Sequence, residues 1–177
     1  MDIFLGCIAL IFIPEIIAKN RWEAICKSDS GTTIYRKINV QGFYTQISTI
    51  DSIKERLATG YKFVEIDSPN IELGRYKIYD SSNINNDGEF KNSLISEYLV
   101  YNRREKANNG YENAETVIQN RQGENIAVTR KIYYYGSSLY RKFRSLFGPQ
   151  SSQDYLEGCL ENINIGDLVM QAIPPIK

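Results

Sequence analysis

Apolar and polar residues divide the chain into an N-terminal apolar segment and a longer part in which the two kinds alternate. The longest uninterrupted apolar run, eleven residues from Ile3 to Ile13, lies in the first segment. A membrane span needs about 20 apolar residues, whereas the core of a signal peptide has roughly 7–15. Because Ala18 offers a small residue at a suitable cleavage position, we expect residues 1–18 to be a signal peptide and residues 19–177 the mature chain.

The charges around this run leave two alternatives open. The residues before it, Met1–Asp2, include no Lys or Arg, although signal peptides usually carry positive charge there. The first basic residues, Lys19 and Arg21, follow the run instead. An uncleaved N-terminal anchor in the inner membrane would have the same pattern, and so would an amphiphilic first helix of a cytosolic protein.

The rest of the chain combines a few helical spacings with many strand-like alternations. Ile50, Ile53 and Leu57 lie on one face of a helix, and the chain after residue 138 has a similar spacing. Helices are predicted over residues 20–26 with Asn20 as the N-cap, over residues 49–58, and over residues 138–147. Strands are predicted over residues 32–40, 61–66, 72–79, 94–102, 113–120 and 125–135.

The last two predicted strands form a hairpin, because only Arg121–Glu124, with glycine in the turn, separates them. Thirteen tyrosines also favour a β-rich domain, since aromatic side chains fit a pleated, half-buried surface. A final apolar patch, residues 168–173, follows without an assigned element. We therefore predict a single α+β domain over residues 19–177, mainly an antiparallel β-sheet with two or three short helices.

Charge and cysteine content indicate the kind of partner and the cellular compartment of the protein. The whole chain has 21 basic and 21 acidic residues, and loss of residues 1–18 would remove two acidic ones and leave a net charge of about +2. So small a charge does not indicate a nucleic acid partner. Cys26 and Cys159 would remain, and an even pair in an oxidising compartment is read as a disulfide. In a cytosolic protein the same pair would be reduced.

The chain has no histidine, which excludes several classes of enzyme. Ser-His-Asp and Cys-His catalysis both need an imidazole to take the proton of the nucleophile, and histidine is the commonest ligand of catalytic zinc. The sequence also has no Cys-x-x-Cys and no glycine-rich phosphate-binding motif. We therefore expect no metal site, no cofactor and, on balance, no enzymatic activity.

Two acidic segments contain residue types that could support catalysis or metal binding. Glu65 and Asp67 lie two apart at a strand end, a spacing that could supply the paired carboxylates of a glycan hydrolase, although a solvated strand end is the simpler interpretation. Asn83–Glu89 resembles a calcium loop, but Leu94 stands where the bidentate glutamate is needed. We expect this segment to be an exposed loop.

Aromatic and basic residues alternate late in the chain, and this pattern marks the candidate binding surface. The rings could stack on a ligand while the cations hold its negative groups. Alternatively, the rings fill the core and the cations point to solvent. The candidate residues are Lys131, Tyr133, Tyr135, Tyr140, Arg141 and Arg144.

Three parts of the sequence resemble a family of small exported bacterial proteins that carry a signal peptide or lipoprotein signal. Residues 25–35 (ICKSDSGTTIY) are similar to its C-x-x-D-x-G-x-x-I/V-Y opening. Residues 120–127 and 133–136 are similar to its turn and aromatic-Gly strand end, although Asn120 and Gln122 depart from the usual residues, and Cys159 corresponds to its late cysteine. The resemblance implies export and a disulfide, and no activity is attached to it.

These observations favour an exported, non-enzymatic domain in the periplasm that binds a protein or an envelope component, for example an immunity-type protein. A carboxylate-based glycan hydrolase and a structural envelope protein are the alternatives. The oligomeric state is left open by the sequence.

Overall fold

The computed structural model describes most of the chain. The described residues are 2–46, 48–69, 72–85, 87–106, 110–137, 140–142, 146, 157–159 and 165–176, with side chains described from residue 12 onward except at positions 106 and 157. The helices are α1 (Asp2–Asp29), α2 (Ile50–Ala58) and α3 (Ile165–Ala172). The strands are β1 (Gly31–Ile34), β2 (Gly42–Thr45), β3 (Phe63–Asp67), β4 (Tyr76–Asp80), β5 (Glu89–Lys91), β6 (Tyr98–Lys106), β7 (Tyr111–Asn120), β8 (Asn125–Tyr134) and β9 (Glu157–Gly158).

The chain forms two compact units, which are described separately. Unit 1 consists of Met1–Gly31, Arg103–Glu115 and Arg130–Asn162. Unit 2 consists of Thr32–Asn102, Thr116–Thr129 and Ile163–Lys177. The α+β class is confirmed, whereas the boundary of a signal peptide at residue 18 and the single-domain organisation stay predictions.

Helix α1 in unit 1 is much longer than the sequence pattern indicated. It runs for 28 residues with Pro14 inside it, so the prediction that a short helix begins at Asn20 is wrong. Residues 15–29 contain no glycine and no further proline, and the chain therefore continues in one helix through residues 20–26. The helix stops at Asp29, three residues beyond the predicted end, and Gly31 follows with a φ of 126°, a conformation that favours glycine.

The core of unit 1 lies between α1 and β8. Trp22, Ile132, Tyr134 and Cys159 are buried there. The indole of Trp22 stacks on the ring of Tyr134 with centroids 5.5 Å apart, and its Nε1–H donates to the Ile132 carbonyl at 3.3 Å. Because the polar edge of the indole has a partner, the whole side chain can be buried.

Cys26 and Cys159 lie at disulfide distance in this core. Their Cα atoms are 5.5 Å apart, within the usual range for a disulfide, and 133 positions separate them in the chain. The structure therefore confirms that the two predicted partners lie close enough to form a disulfide. It connects α1 to the short strand β9, which pairs with β8 through Gly158 and Tyr133.

The sheet has the strand order β1-β8-β7-β6-β2-β3-β4-β5, with β9 added on β8. The hairpin of β7 and β8 is confirmed, and β3, β4 and β5 are successive antiparallel neighbours. Strand β2 is parallel to both of its neighbours, β3 and β6. Strands β2, β5 and β9, which have at most four residues each, were not predicted from the sequence.

Several predicted boundaries change. Strand β1 ends at Ile34, and further along the chain Val40 forms only an isolated bridge with Pro175. Strand β6 runs from Tyr98 to Lys106, so it begins and ends four residues later than the predicted strand over residues 94–102. The final apolar patch is the helix α3. Of the predicted helix over residues 138–147, Tyr140–Lys142 is helical and most of the remainder lies outside the described residues.

Helices α2 and α3 belong to unit 2 and help to form its core. Thr49 caps α2 by accepting a hydrogen bond from the Ser52 backbone N–H, as the predicted N-terminus requires. The core residues are Val40, Phe43, Ile53, Tyr61, Val64, Tyr79, Val100, Ile118, Ile126, Ala127, Leu168, Val169, Ala172 and Ile173.

Removal of the Cys26–Cys159 pair should destabilise the protein. The pair closes a loop of 133 residues, and chain entropy gives such a bridge a stabilisation of about 5 kcal/mol. We expect the double variant Cys26→Ser/Cys159→Ser to unfold at a much lower urea concentration than the oxidised wild type. The reduced wild type is the control and should resemble the variant. Equal midpoints for oxidised and reduced wild type would contradict the bridge.

Tyr61 should make unit 2 less stable as the pH rises above 10.0. Its hydroxyl donates to the Ile173 carbonyl at 2.8 Å, and burial raises its pKa from 10.0 to about 12, although Arg56 opposes this. A raised pKa means that this contribution is complete below pH 10.0 and is lost as the pH approaches 12.

We therefore expect the free energy of unfolding to fall over this pH range, and Tyr61→Phe to lessen the fall. At neutral pH the variant should lose about 1 kcal/mol with its hydrogen bond. Urea unfolding at several pH values is the measurement, and Tyr35→Phe is the control because Tyr35 is 63% exposed. The same pH dependence in both variants would contradict the assignment.

Candidate functional site

The predicted binding residues on β8 lie on one face of the strand. Ile132 and Tyr134 point toward α1 and are buried, so the alternating residues Lys131 and Tyr133 point to the opposite face. Both are half-buried. In this segment, one set of side chains therefore fills the core, and the other set forms a partly accessible face.

Tyr135 continues this face and leads to residues that the sequence analysis missed. Its hydroxyl donates to the Glu112 carboxylate at 3.1 Å. Burial and this hydrogen bond raise the pKa of Tyr135. Arg104 lies 3.7 Å from the other oxygen of the same carboxylate, and its side chain is 69% exposed while that of Glu112 is only 9% exposed. A buried carboxylate thus joins a tyrosine to an exposed guanidinium.

The other predicted residues lie at a different place in unit 1. The ring of Tyr140 packs edge-on against Phe12 of α1, with centroids 6.5 Å apart, and its backbone N–H donates to the Ser137 hydroxyl. Arg141 is exposed beside it. Arg144 lies outside the described residues. The five described residues of this set are therefore divided between the outer face of β8 and the vicinity of α1.

Glu65 has a structural position that the sequence did not indicate. It is 0% exposed, so the expectation of a solvated strand end is wrong for this residue. Its two carboxylate oxygens accept the backbone N–H groups of Ile95 and Ser96, at 2.8 and 2.5 Å. Arg121 donates to the Ser96 carbonyl at 2.8 Å and to the Leu94 carbonyl. The segment before β6, residues 94–96, is thus bound by the Glu65 carboxylate through its backbone N–H groups and by the Arg121 guanidinium through its carbonyl groups.

Asp67 serves a separate contact two positions later. It is exposed and accepts a hydrogen bond from Tyr44, whose pKa is raised by burial and then by this bond. Tyr44 in turn packs edge-on against Tyr76 at 6.0 Å. Because Glu65 has both oxygens engaged by backbone donors, this pair has the features of a structural contact and not those of the two carboxylates of a glycan hydrolase.

The calcium-like segment is organised by hydrogen bonds within the protein. Asp80 accepts from the Ser82 hydroxyl at 2.6 Å and from two backbone N–H groups, and these bonds lower the pKa of its carboxyl, although burial opposes them. Asn83 accepts from the Asp80 backbone N–H at 2.8 Å. The Asp87 carboxylate lies 2.6 Å from the Lys77 ammonium. The side-chain oxygens of Asn83 and Asp87 that would bind calcium therefore have protein donors.

Lys77 is unusual because its ammonium is almost fully buried. Its side chain is 4% exposed and lies over the ring of Phe90 at 4.9 Å and that of Tyr79 at 5.4 Å. Burial lowers its pKa, but the bonds to Asp87 and Tyr79 outweigh this and leave it raised. Contacts with ring faces together with an opposite charge compensate for the lost hydration.

Two cavities in unit 2 were considered as ligand sites. The larger, about 340 Å³, is lined by Asn39, Val40, Gln41, Gly42, Phe63, Ile95, Glu97, Tyr98 and Ile176. The smaller, about 180 Å³, lies at the carboxyl end of β2 and includes Ser48, Ser52 and Arg56. Its two serine hydroxyls are 2.6 Å apart, and that of Ser52 also takes part in capping α2. These polar groups are therefore already used by the fold.

The part of the chain that the structure describes contains no metal-binding cluster and no membrane-spanning helix. No group of three or more Cys, Asp or Glu side chains in this part of the chain could hold a metal ion. Within the same residues, no helix is both long enough and apolar enough to cross a membrane.

Comparisons with known proteins give no relative from which a function could be transferred. No family model, no curated protein and no solved structure matches the chain.

Replacement of Glu65 by glutamine should show how strongly it holds the segment before β6. The amide of glutamine can accept one of the two backbone hydrogen bonds but presents donors to the other, so we expect Glu65→Gln to lower the free energy of unfolding by about 3 kcal/mol. Glu55→Gln, at an exposed position of α2, is the matched control and should change it by less than about 0.5 kcal/mol. Equal effects in urea unfolding would show that Glu65 has no such role.

Proposed function

We propose that the protein is an exported binding domain that recognises a protein or another component of the bacterial envelope. The binding site is the outer face of unit 1, formed by Arg104, Glu112, Lys131, Tyr133 and Tyr135, which we call the tyrosine face. An immunity-type protein, which binds a toxin and neutralises it, is a concrete example of this function.

The contact of Tyr135 with Glu112, and of Glu112 with Arg104, is the observation that supports this face most strongly. Tyrosine and arginine are the residue types that contribute most to binding energy at protein interfaces. Here the hydroxyl of Tyr135 is already fixed by the Glu112 carboxylate, so little side-chain freedom would be lost on binding. The guanidinium of Arg104 is exposed and can take a second acceptor from a partner.

The cysteine pair supports a location outside the cytoplasm. Disulfides persist in oxidising compartments such as the bacterial periplasm and are rare in the cytosol. Cys26 and Cys159 have the distance of a disulfide and lie in the core of the unit that carries the tyrosine face. We therefore propose that binding takes place outside the cytoplasm. A Cys26–Cys159 disulfide beside β8 would stabilise the conformation of the tyrosine face.

Site-specific photo-crosslinking in the cells that produce the protein would test this proposal. A photoreactive residue at position 131 should give a crosslinked product of defined mass, because this position lies on the tyrosine face. The same residue at position 54, an exposed site on α2 in unit 2, is the matched control and should not give that product.

Substitutions on the face then test which residues recognise the partner. Arg104→Glu and Tyr133→Ala should each reduce the crosslinked product at least tenfold, about the effect of removing an interface residue worth 1–2 kcal/mol. Tyr35→Ala, at a 63% exposed tyrosine of unit 2, should leave it unchanged. Identical products from positions 131 and 54, or no effect of either substitution, would overturn the proposal.

A further inference from the structure

Helix α1 exposes a continuous apolar stripe near its N-terminus. Phe12, Ile13, Ile16 and Ile17 are 44, 55, 58 and 47% exposed. Their spacing of i, i+1, i+4 and i+5 places them on one face of the helix. Large apolar side chains that are exposed together mark an interaction surface more often than a free surface.

The opposite face of the same helical segment is part of unit 1. Ala18, Trp22, Ile25 and Cys26 pack in its core. One turn before them, the Glu15 carboxylate accepts the Tyr134 hydroxyl at 2.7 Å and the Ser137 backbone N–H at 2.8 Å. The one charged side chain among residues 12–18 is therefore directed into unit 1, away from the apolar stripe.

The outward face changes from apolar to polar at a defined point. One turn after Ile16 and Ile17, the exposed positions become Asn20 and Glu23, and Lys27 follows. The exposed Arg21 lies in the same turn as Asn20. Before the stripe, residues 3–11 of the sequence are apolar without exception.

We propose that α1 is retained in the mature protein and that it enters a lipid bilayer with its N-terminal apolar residues and with the outward stripe of Phe12, Ile13, Ile16 and Ile17. The sequence of residues 3–11, nine consecutive apolar residues, fits a bilayer better than the one-sided groove of a partner protein. Arg21, one turn after Ile17, would lie at the level of anionic headgroups. Tyr140, which packs on Phe12, would lie near the interface, where tyrosine is enriched in membrane proteins.

This inference is independent of the tyrosine face and replaces the signal peptide expected from the sequence. Cleavage after Ala18 would remove Glu15, and with it the acceptor for the Tyr134 hydroxyl and the Ser137 N–H. It would also remove Ala18 from the core of unit 1. A cleaved signal peptide makes no such contacts with the mature protein.

The first experiment is the intact mass of the protein purified from its membrane fraction. A mass that includes residues 12–18 is expected, whereas a mature chain that begins at Lys19 would overturn the proposal.

The second experiment measures flotation of the full-length protein with vesicles that contain anionic phospholipid. We expect Ile16→Asp/Ile17→Asp to lower the bound fraction by at least about tenfold, because two apolar side chains lose their burial. Ile50→Asp/Ile165→Asp is the matched control, since both isoleucines are 42% exposed on helices of unit 2, and it should bind like the wild type.

Two controls separate membrane binding from misfolding of the variants and from dimer formation through the stripe. Thermal unfolding of both double variants would show that they are folded, so that a loss of flotation has a local cause. Equal flotation of all three proteins would overturn the role of the stripe. A wild type that does not float but forms dimers that Ile16→Asp/Ile17→Asp dissociates would show that a second copy covers it, and this too would overturn the bilayer. None of these readouts depends on the partner of the tyrosine face.

Discussion

The alternation of side chains along β8 is the constraint on which most of the structure depends. At its start the strand supplies Ile126 to the core of unit 2. At its end it supplies Ile132 and Tyr134 to the core of unit 1, where Trp22 stacks on Tyr134. A shift of one residue in the pairing of this strand would exchange its two faces along its whole length. Such a shift is therefore strongly disfavoured.

The same alternation determines what unit 1 can present to a partner. Because Ile132 and Tyr134 are needed in the core, Lys131 and Tyr133 must lie on the outer face. Neighbouring strands then complete the surface, since Glu112 and Arg104 come from β7 and β6. The proposed binding residues Arg104, Glu112, Lys131 and Tyr133 thus lie in strands, and Tyr135 directly follows β8. Strand pairing therefore fixes their relative positions. The proposed function and the stability of unit 1 would depend on the same strand.

Local patterns of sequence predicted the elements that local forces determine. The hairpin of β7 and β8 has a glycine turn, and α2 has a cap and a regular apolar face, so both could be recognised. Strand β2 has four residues and no turn of its own, and its parallel pairing with β3 and β6 depends on distant parts of the chain. Helix α3 has eight residues, too few for a periodic pattern to be recognised in an apolar segment.

The candidate site was predictable to the same extent. Lys131, Tyr133 and Tyr135 lie within one segment, and their alternation could be read directly. Glu112 and Arg104 could be added only with the register of three strands, which the sequence does not give. Glu65 shows the same limit, because its burial is explained by backbone donors of Ile95 and Ser96, thirty positions away. Nothing in the sequence around Glu65 distinguishes it from an exposed acid.

The N-terminal segment shows why an apolar run is ambiguous by itself. Eleven apolar residues fit a signal peptide and a retained helix equally well, and the difference lies in the polar residues beside them. Glu15 follows the apolar run directly after Pro14. In the sequence alone, this charged residue suggests that the apolar core of a signal peptide ends here. In the structure this carboxylate has two donors in unit 1, so its charge is used for attachment. A polar residue at the edge of an apolar run therefore supports cleavage only when it has no partner in the folded protein.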